Sequence, residues 1–174
     1  MKIITETDRL RIMEADQADA GFILELLNSP TWLEFIGNKG VSTIEQALGY
    51  INQNLLGSYK AHGFGLYKVC LKGTLEPIGL CGFLQRDYLE SPDIGFALLP
   101  EYEGNGFMGE AGQAIMEFGK SHLKLDHILA IVMPENDRSK RLLEKIGFKA
   151  IGMINPRGSD GELMLFSNEK SHPK

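Results

Sequence analysis

Cysteine, tryptophan and long apolar runs are scarce in this chain: two Cys and one Trp occur in 174 residues. No stretch approaches the roughly 20 consecutive apolar residues of a membrane-spanning helix, and the opening MKIITETDRL has no apolar signal-peptide core. A cytoplasmic protein with no membrane partner is therefore expected. Cys70 and Cys81 sit in separate apolar runs with no Cys or His at ligand spacing. That pattern excludes a zinc ribbon or a disulfide framework and leaves two small buried hydrophobes. His62, His122, His127 and His172 are scattered without a partner motif, so no metal centre or histidine triad is expected. Positive charge is short as well, with 18 Lys and Arg against 23 Asp and Glu and a formal net charge of -5. Nucleic acid is disfavoured as a partner, a cationic substrate is favoured by the overall field, and any polyanionic ligand must be held by local groups.

What is present suits one ordinary domain, because 43% hydrophobic and 24% charged residues can build and solvate a single core. The domain is expected over residues 1–167, with NEKSHPK at 168–174 as a polar tail. RLRIM alternates as a strand does, and DQADAGFILELLN spaces Ala18, Phe22, Leu26 and Leu27 as one helix face. Ser29-Pro30 stops that helix, and a turn or short helix follows around Trp32. Ser42 and Glu45 form an S-x-x-E capping box that predicts a second helix to about Tyr59. GFGLYKVCLK, the turn GTLEP and IGLCGFLQ then read as an antiparallel hairpin, and RDYLESPD as a polar connection. From Asp93 the order is strand DIGFALL, a glycine loop, helix GEAGQAIMEFGKSH, strand HILAIVM, helix NDRSKRLLEKI, and the strands FKAIGMI and ELMLFS. A strand, helix, strand succession of this kind predicts parallel pairing within an α/β (α+β) fold.

The glycine loop EYEGNGFMGEA contains a literal G-x-G-x-x-G in Gly104, Gly106 and Gly109. A dinucleotide fingerprint closes the first strand of an open parallel sheet, with several further units to come. Here an antiparallel hairpin precedes the loop and too little chain follows it. The acidic residue expected about 20 positions later falls on Glu135 only by a match common in acidic chains. The physical content survives: glycines admit a close ligand, and the following helix offers unpaired N–H groups and a positive dipole end to a diphosphate. Glu101, Glu103 and Glu110 then need to point outward, and Glu110 in a first helical turn also favours the helix itself. A ligand-free tight connection is the plain alternative.

The succession of strand, two helices, antiparallel strands, DIGFALLPEYEGNGFMGEA, ILAIVMPEN and NDRSKRLLEKIGF resembles the GNAT superfamily of acyl-CoA-dependent N-acetyltransferases, in particular its RimJ/RimL-like branch. The resemblance implies one GNAT-like domain: a mixed central β-sheet with helices on both faces and a splayed pair of parallel strands binding acyl-CoA. It sets EYEGNG at the family's Q/R-x-x-G-x-G/A loop, with a departure at the first position. Gly104, Asn105, Gly106, Phe107, Met108 and Gly109 would then hold the diphosphate of acetyl-CoA through backbone N–H groups. Ala97, Leu98 and Leu99 would hydrogen-bond the pantetheine arm, with an N–H near Leu98 polarising the thioester carbonyl. Asn136 and Ser139 match an N-x-x-S motif; Asn136 would bond the pantetheine amides, and Ser139 would touch the cosubstrate or protonate the leaving thiolate. Both are also ordinary helix-capping residues. Arg138, Lys140, Arg141 and Lys145 lie nearby, and each is explained equally well as part of a solvated helix face.

Amine acetylation needs a neutral nucleophile, so a base or a water path to one is required. Asp93 is the leading carboxylate, at a strand start where many such enzymes carry a glutamate, although a residue after Ser91-Pro92 is also an ordinary turn position. Glu34 and Glu14 are weaker candidates. The implied reaction is direct transfer from acetyl-CoA to a primary amine without a covalent enzyme intermediate. The acceptor implied by the branch is a protein N-terminal amine, with an antibiotic, polyamine or other small amine as the alternative. A non-catalytic acyl-CoA-binding module is the reading of another class. The protein is expected to be a monomer or homodimer. The loop NPRGSDGE either borders the acceptor or is a plain hairpin turn.

Overall fold

The computed structural model of the chain describes residues 2–159 and 161–170. Of the expected polar tail, 171–174 lie outside the described residues, as does Asp160 of the NPRGSDGE loop. One eight-stranded sheet runs β1-β2-β3-β4-β5-β6-β8-β7. Its strands are β1 (Ile3–Glu6), β2 (Leu10–Met13), β3 (Leu66–Leu71), β4 (Pro77–Leu84), β5 (Asp93–Leu98), β6 (Leu129–Val132), β7 (Lys149–Ile154) and β8 (Leu163–Ser167). The expected hairpin is present, with β3 antiparallel to β4, and the expected parallel pair is β5 with β6. β1 is not signalled by the sequence, because an edge strand with no fully buried residue carries no alternating pattern.

The helices are α1 (Ala20–Leu27), α2 (Pro30–Phe35), α3 (Ile44–Tyr50), α4 (Gly57–His62), α5 (Phe107–Ser121) and α6 (Asp137–Lys145). A π-helical stretch, Ile51–Leu56, joins α3 to α4, so one helical rod covers and slightly overruns the span predicted to about Tyr59. Its start differs from the S-x-x-E expectation. Thr43 is the N-cap and accepts from Gln46 N–H at 3.1 Å, while the Gln46 side chain reaches back to the Ser42 N–H at 2.7 Å. The reciprocal pairing is of the capping-box kind, displaced by one residue. Gly57 donates to Asn52 O to close the π turn, and a Cβ there would lie 3.2 Å from that oxygen.

Two apolar clusters occupy opposite faces of the sheet. Met108, Ala111 and Ile115 of α5 and Leu143 of α6 pack on one face with Phe83, Ile94 and Phe166. Ile23, Leu26, Trp32, Ala47, Ile51 and Leu55 pack on the other with Leu80 and Leu99. The buried Lys68–Asp19 ion pair, at 2.9 Å, ties the turn before α1 to the sheet beneath it.

Close strand approach at β4 depends on glycine. A Cβ on Gly82 would stand 2.0 Å from the Gly65 carbonyl oxygen, whereas one on Gly73 in the hairpin turn meets nothing within 4 Å. Gly82→Ala is expected to lower unfolding free energy by about 1–3 kcal/mol through forced backbone displacement, and Gly73→Ala by much less. Urea denaturation of the two variants checks this, and equal stabilities would refute the close-packing account.

Candidate active site

β5 is hydrogen-bonded to β4 along its whole length, from Leu84↔Asp93 to Gly79↔Leu98. The Leu99 N–H extends that ladder to Ile78 O at 2.8 Å. On its other edge β5 meets β6 only at Asp93↔Leu129, and beyond that point the strands diverge. Backbone groups of successive residues alternate between the two edges of a strand. Those of Ala97 and Leu99 therefore face β4, and those of Phe96 and Leu98 face the opening. The expected trio of backbone donors is thereby corrected: Leu98 presents its N–H to the wedge, while the N–H groups of Ala97 and Leu99 belong to the β4 ladder. Leu99 is also buried among the helices of the far face, although Ala97 and Leu98 both line the wedge.

The wedge is part of one cavity of about 390 Å³. Gly104, Gly106, Phe107, Met108 and Gly109 border it. Gly104 and Gly106 hold φ of 83° and 76°, the left-handed region that only glycine enters without strain. α5 starts directly after them with no side-chain cap, and its first intrahelical bond is Glu110 N–H to Gly106 O. The N–H groups of Phe107, Met108 and Gly109 therefore point out of the helix end with the positive end of the dipole. This cradle fits a diphosphate, as an acyl-CoA requires. The Asn105 side chain folds back toward the Tyr102 and Glu103 carbonyls at 3.4 Å and its own carbonyl accepts from Arg9; neither contact involves the backbone N–H expected to meet the diphosphate.

The loop glutamates behave differently from one another. Glu101 is exposed. Glu110 turns outward, accepting from Thr7 Oγ1 at 2.6 Å and Arg9 Nε at 2.7 Å; burial alone would raise its pKa, but these bonds lower it below the ordinary carboxylate value. Glu103 does not point outward as expected. It borders the cavity, accepts from Thr31 Oγ1 at 3.1 Å and is ion-paired with Arg138, so its charge is locally balanced. Two cations stand beside the cradle instead. Arg9 lies over the Phe107 ring at 4.4 Å, with Nη2 3.6 Å from where a Gly106 Cβ would sit. Lys145 Nζ is 3.8 Å from the corresponding point on Gly109. No motif points to Arg9, because the turn between β1 and β2 that carries it lies far along the chain from the loop. Of the basic run on α6, Lys145 reaches the cradle, Arg138 is engaged with Glu103, and Lys140 pairs with Asp137 at 3.0 Å.

Asn136 and Ser139 line the same cavity from the start of α6. The Asn136 side chain caps that helix, its Oδ1 accepting from the Ser139 N–H at 3.2 Å. Its amide nitrogen and the Ser139 hydroxyl have no hydrogen-bond partner among the described residues. Capping and ligand contact are compatible at Asn136, because capping occupies only the carbonyl oxygen.

Asp93 sits where β5 and β6 part. Its side chain is 1% exposed and both its oxygens accept from Arg86 Nε, at 3.0 and 3.1 Å. Burial pushes its carboxyl up to about 6, and the guanidinium opposes that rise only in part. Burial acts against the Arg86 cation too, but Asp93 and Tyr88 together hold it above the ordinary arginine value. Arg86 and, from the α1–α4 segment, Tyr50, Lys39 and Trp32 also line the cavity, and the Arg86 charge acts on both Lys39 and Tyr50. None is singled out by a sequence motif; the one available signal is a lone basic residue closing β4. Glu34 is exposed and does not border the cavity, and Glu14 pairs with Lys2 at 3.6 Å. Burial raises the Cys70 and Cys81 thiols to about 11 and 12, which keeps both from acting as thiolates. Among the described residues no group of three or more His, Cys, Asp or Glu could hold a metal ion, and no helix is long and apolar enough to cross a membrane.

Residues 9–149 match the acetyltransferase (GNAT) domain family. The uncharacterised N-acetyltransferase YoaA of Bacillus subtilis (strain 168) is 31% identical over 153 residues, covering 87% of this chain and 85% of that protein. A GNAT-family acetyltransferase from Bacillus anthracis shares the fold with a TM-score of 0.77 at 26% identity, over 96% of this chain and 97% of that one. At lower identity, and so as a likeness of fold, RimL, a ribosomal L7/L12 α-N-protein acetyltransferase solved with coenzyme A, gives a TM-score of 0.80 at 18% identity, over 95% and 97% of the two chains. A chimera of the spermidine N-acetyltransferase SpeG from Vibrio cholerae and hSSAT gives 0.74 at 18%, over 91% and 93%. With the splayed strands, the glycine cradle and the matched domain in agreement, the chain belongs to the GNAT family and is an acyl-CoA-dependent N-acetyltransferase.

Proposed function

We propose that this enzyme uses acetyl-CoA to acetylate the α-amine of a polypeptide N-terminus, as a RimJ/RimL-like enzyme. The observation that carries the cosubstrate half is the unpaired stretch of β5, which leads from the uncapped α5 N-terminus down to Asp93. For the acceptor half, Leu33 and Ile36 of the α2 segment are 42% and 44% exposed, and Ile36 and Phe35 border the cavity. Apolar side chains there suit a peptide chain and offer little to a polyamine. The likeness of fold to RimL supports the same choice, while the likeness to a spermidine enzyme keeps a small amine as the competing acceptor.

In this proposal the N–H groups of Phe107 to Gly109 hold the diphosphate, with Arg9 and Lys145 adding positive charge beside it. The Leu98 N–H meets the pantetheine arm in the wedge, and the Asn136 amide and Ser139 hydroxyl meet it from α6. Bound acetyl-CoA supplies the acetyl group, with the C–S bond broken and a C–N bond formed to the amine. Asp93, ionised at neutral pH with a pKa of about 6, takes the proton the amine loses, directly or through a water. The Ser139 hydroxyl supplies the proton that leaves with the thiol and regains one from solvent. A donor such as the Leu98 N–H, fixed before the reaction begins, stabilises developing negative charge without reorganisation.

Two outcomes check this. Gly106→Asn, whose side chain tolerates the left-handed backbone yet enters the cradle, is expected to weaken acetyl-CoA binding at least about tenfold and to abolish most of its ligand-dependent rise in Tm; an undiminished rise would remove the loop from the site. Asp93→Asn is expected to lower kcat about a hundredfold or more while the acetyl-CoA-dependent Tm rise survives. Because protonation removes the base, wild-type kcat/KM is expected to fall as pH drops through about 6, and Asp93→Asn to lose that limb. Unchanged kcat and an unchanged pH profile in the variant would exclude Asp93 as base.

A further inference from the structure

The cavity is rich in hydrogen-bond donors, and around Asp93 it holds one more cation than anion. The Trp32 indole Nε1 is buried with no partner among the described residues, in a residue only 4% exposed that borders the cavity. A buried N–H without an acceptor is costly, and native structures rarely leave one so unless a ligand or water completes it. Three more donors border the same space. The Lys39 ammonium has no ion pair or hydrogen bond among the described residues. Arg86 uses Nε on Asp93 and Nη1 on Tyr88, leaving Nη2 uncommitted. The Tyr50 hydroxyl also has no partner among the described residues, and burial, only partly offset by the Arg86 charge, keeps its pKa up to about 12, so it remains a donor.

The charges point the same way. Partial burial and then the Arg86 cation lower the Lys39 pKa, so the two cations lie within electrostatic reach of each other. Asp93 balances one of them, and the next carboxylate along the cavity, Glu103, is engaged by Arg138 and Thr31. A local cationic excess inside a chain of net charge -5 reverses what the composition suggested about substrate charge.

We propose that the acceptor carries a carboxylate close to its amine, held by Lys39 and Arg86 with the Trp32 N–H and Tyr50 O–H as further donors, while the amine faces Asp93. The substrate class is thus a polypeptide with an acidic residue next to its N-terminus. This specificity rests on the N-terminal acetyltransferase reading above.

The test uses the full chain, acetyl-CoA and short peptides that differ only in a second residue of Glu, Gln or Lys, with free glutamate and spermidine as further acceptors. Thiol release is expected to give kcat/KM for the Glu peptide at least about tenfold above Gln and higher still above Lys, a ratio worth about 1.4 kcal/mol. Lys39→Glu is expected to reverse the order while leaving the acetyl-CoA-dependent Tm rise intact, and Trp32→Phe, which keeps an aromatic side chain but removes the indole N–H, to narrow the Glu preference. Free glutamate outrunning every peptide would assign the carboxylate subsite to an amino acid rather than a chain end, and would overturn the polypeptide source. Equal rates for Glu and Gln peptides, faster spermidine turnover, or an unchanged order in Lys39→Glu would overturn the carboxylate. Should no amine release thiol, the transferase reading fails by itself. Calorimetric binding of the Glu and Gln peptides then decides the subsite, with the same tenfold preference expected and equal affinity refuting it.

Discussion

The architecture depends on one break in strand pairing. β5 and β6 share a single register point at Asp93 and Leu129, and from there the Phe96 and Leu98 backbone groups on that edge have no strand to meet. Buried peptide groups must be paired, so an opening of this kind inside a sheet is a place for an extended, hydrogen-bonding ligand. Everything else follows from its position: α5 begins at its wide end, α6 begins along its flank, and the Asp93–Arg86 pair closes its narrow end.

The acidic character of the chain is handled locally. Anion binding is assigned to backbone N–H groups and the α5 dipole, with Arg9 and Lys145 beside them, while Glu110 and Glu103 are each engaged by an arginine. At the other end Arg86 keeps a deeply buried carboxylate within the wall and leaves its pKa near the working range of a base. Net charge is therefore a poor guide to the cleft of this protein. The cavity carries a cationic excess around Asp93, because Lys39 and Arg86 lie within electrostatic reach of each other with only that carboxylate to balance them.

Much of the frame is legible in the sequence. The hairpin around GTLEP, the parallel step across α5 and the glycine cradle all rest on local patterns: alternation, helical spacing and residues that admit positive φ. β1 is illegible because an exposed edge strand has no hydrophobic period, and the cap falls on Thr43 rather than Ser42 because two hydroxyl residues compete within one residue of each other. Within the site, Gly104, Gly106 and Asn136 are found by motif. Ala97 and Leu99 are misplaced as wedge donors because a strand's edge parity is set by its pairing with β4, whose residues lie well back along the chain.

The sequence by itself determined the succession of elements, the glycine loop ahead of a helix and the presence of a carboxylate at the head of β5, since each is a property of residues close along the chain. Only the tertiary structure decided that Arg9 reaches the cradle 96 residues away at Asn105, that Arg86 grips Asp93, and that Trp32 is left with a buried N–H unpartnered among the described residues. Those facts depend on which elements the sheet brings together. No local pattern records them, because side-chain reach and desolvation are fixed by packing across the fold.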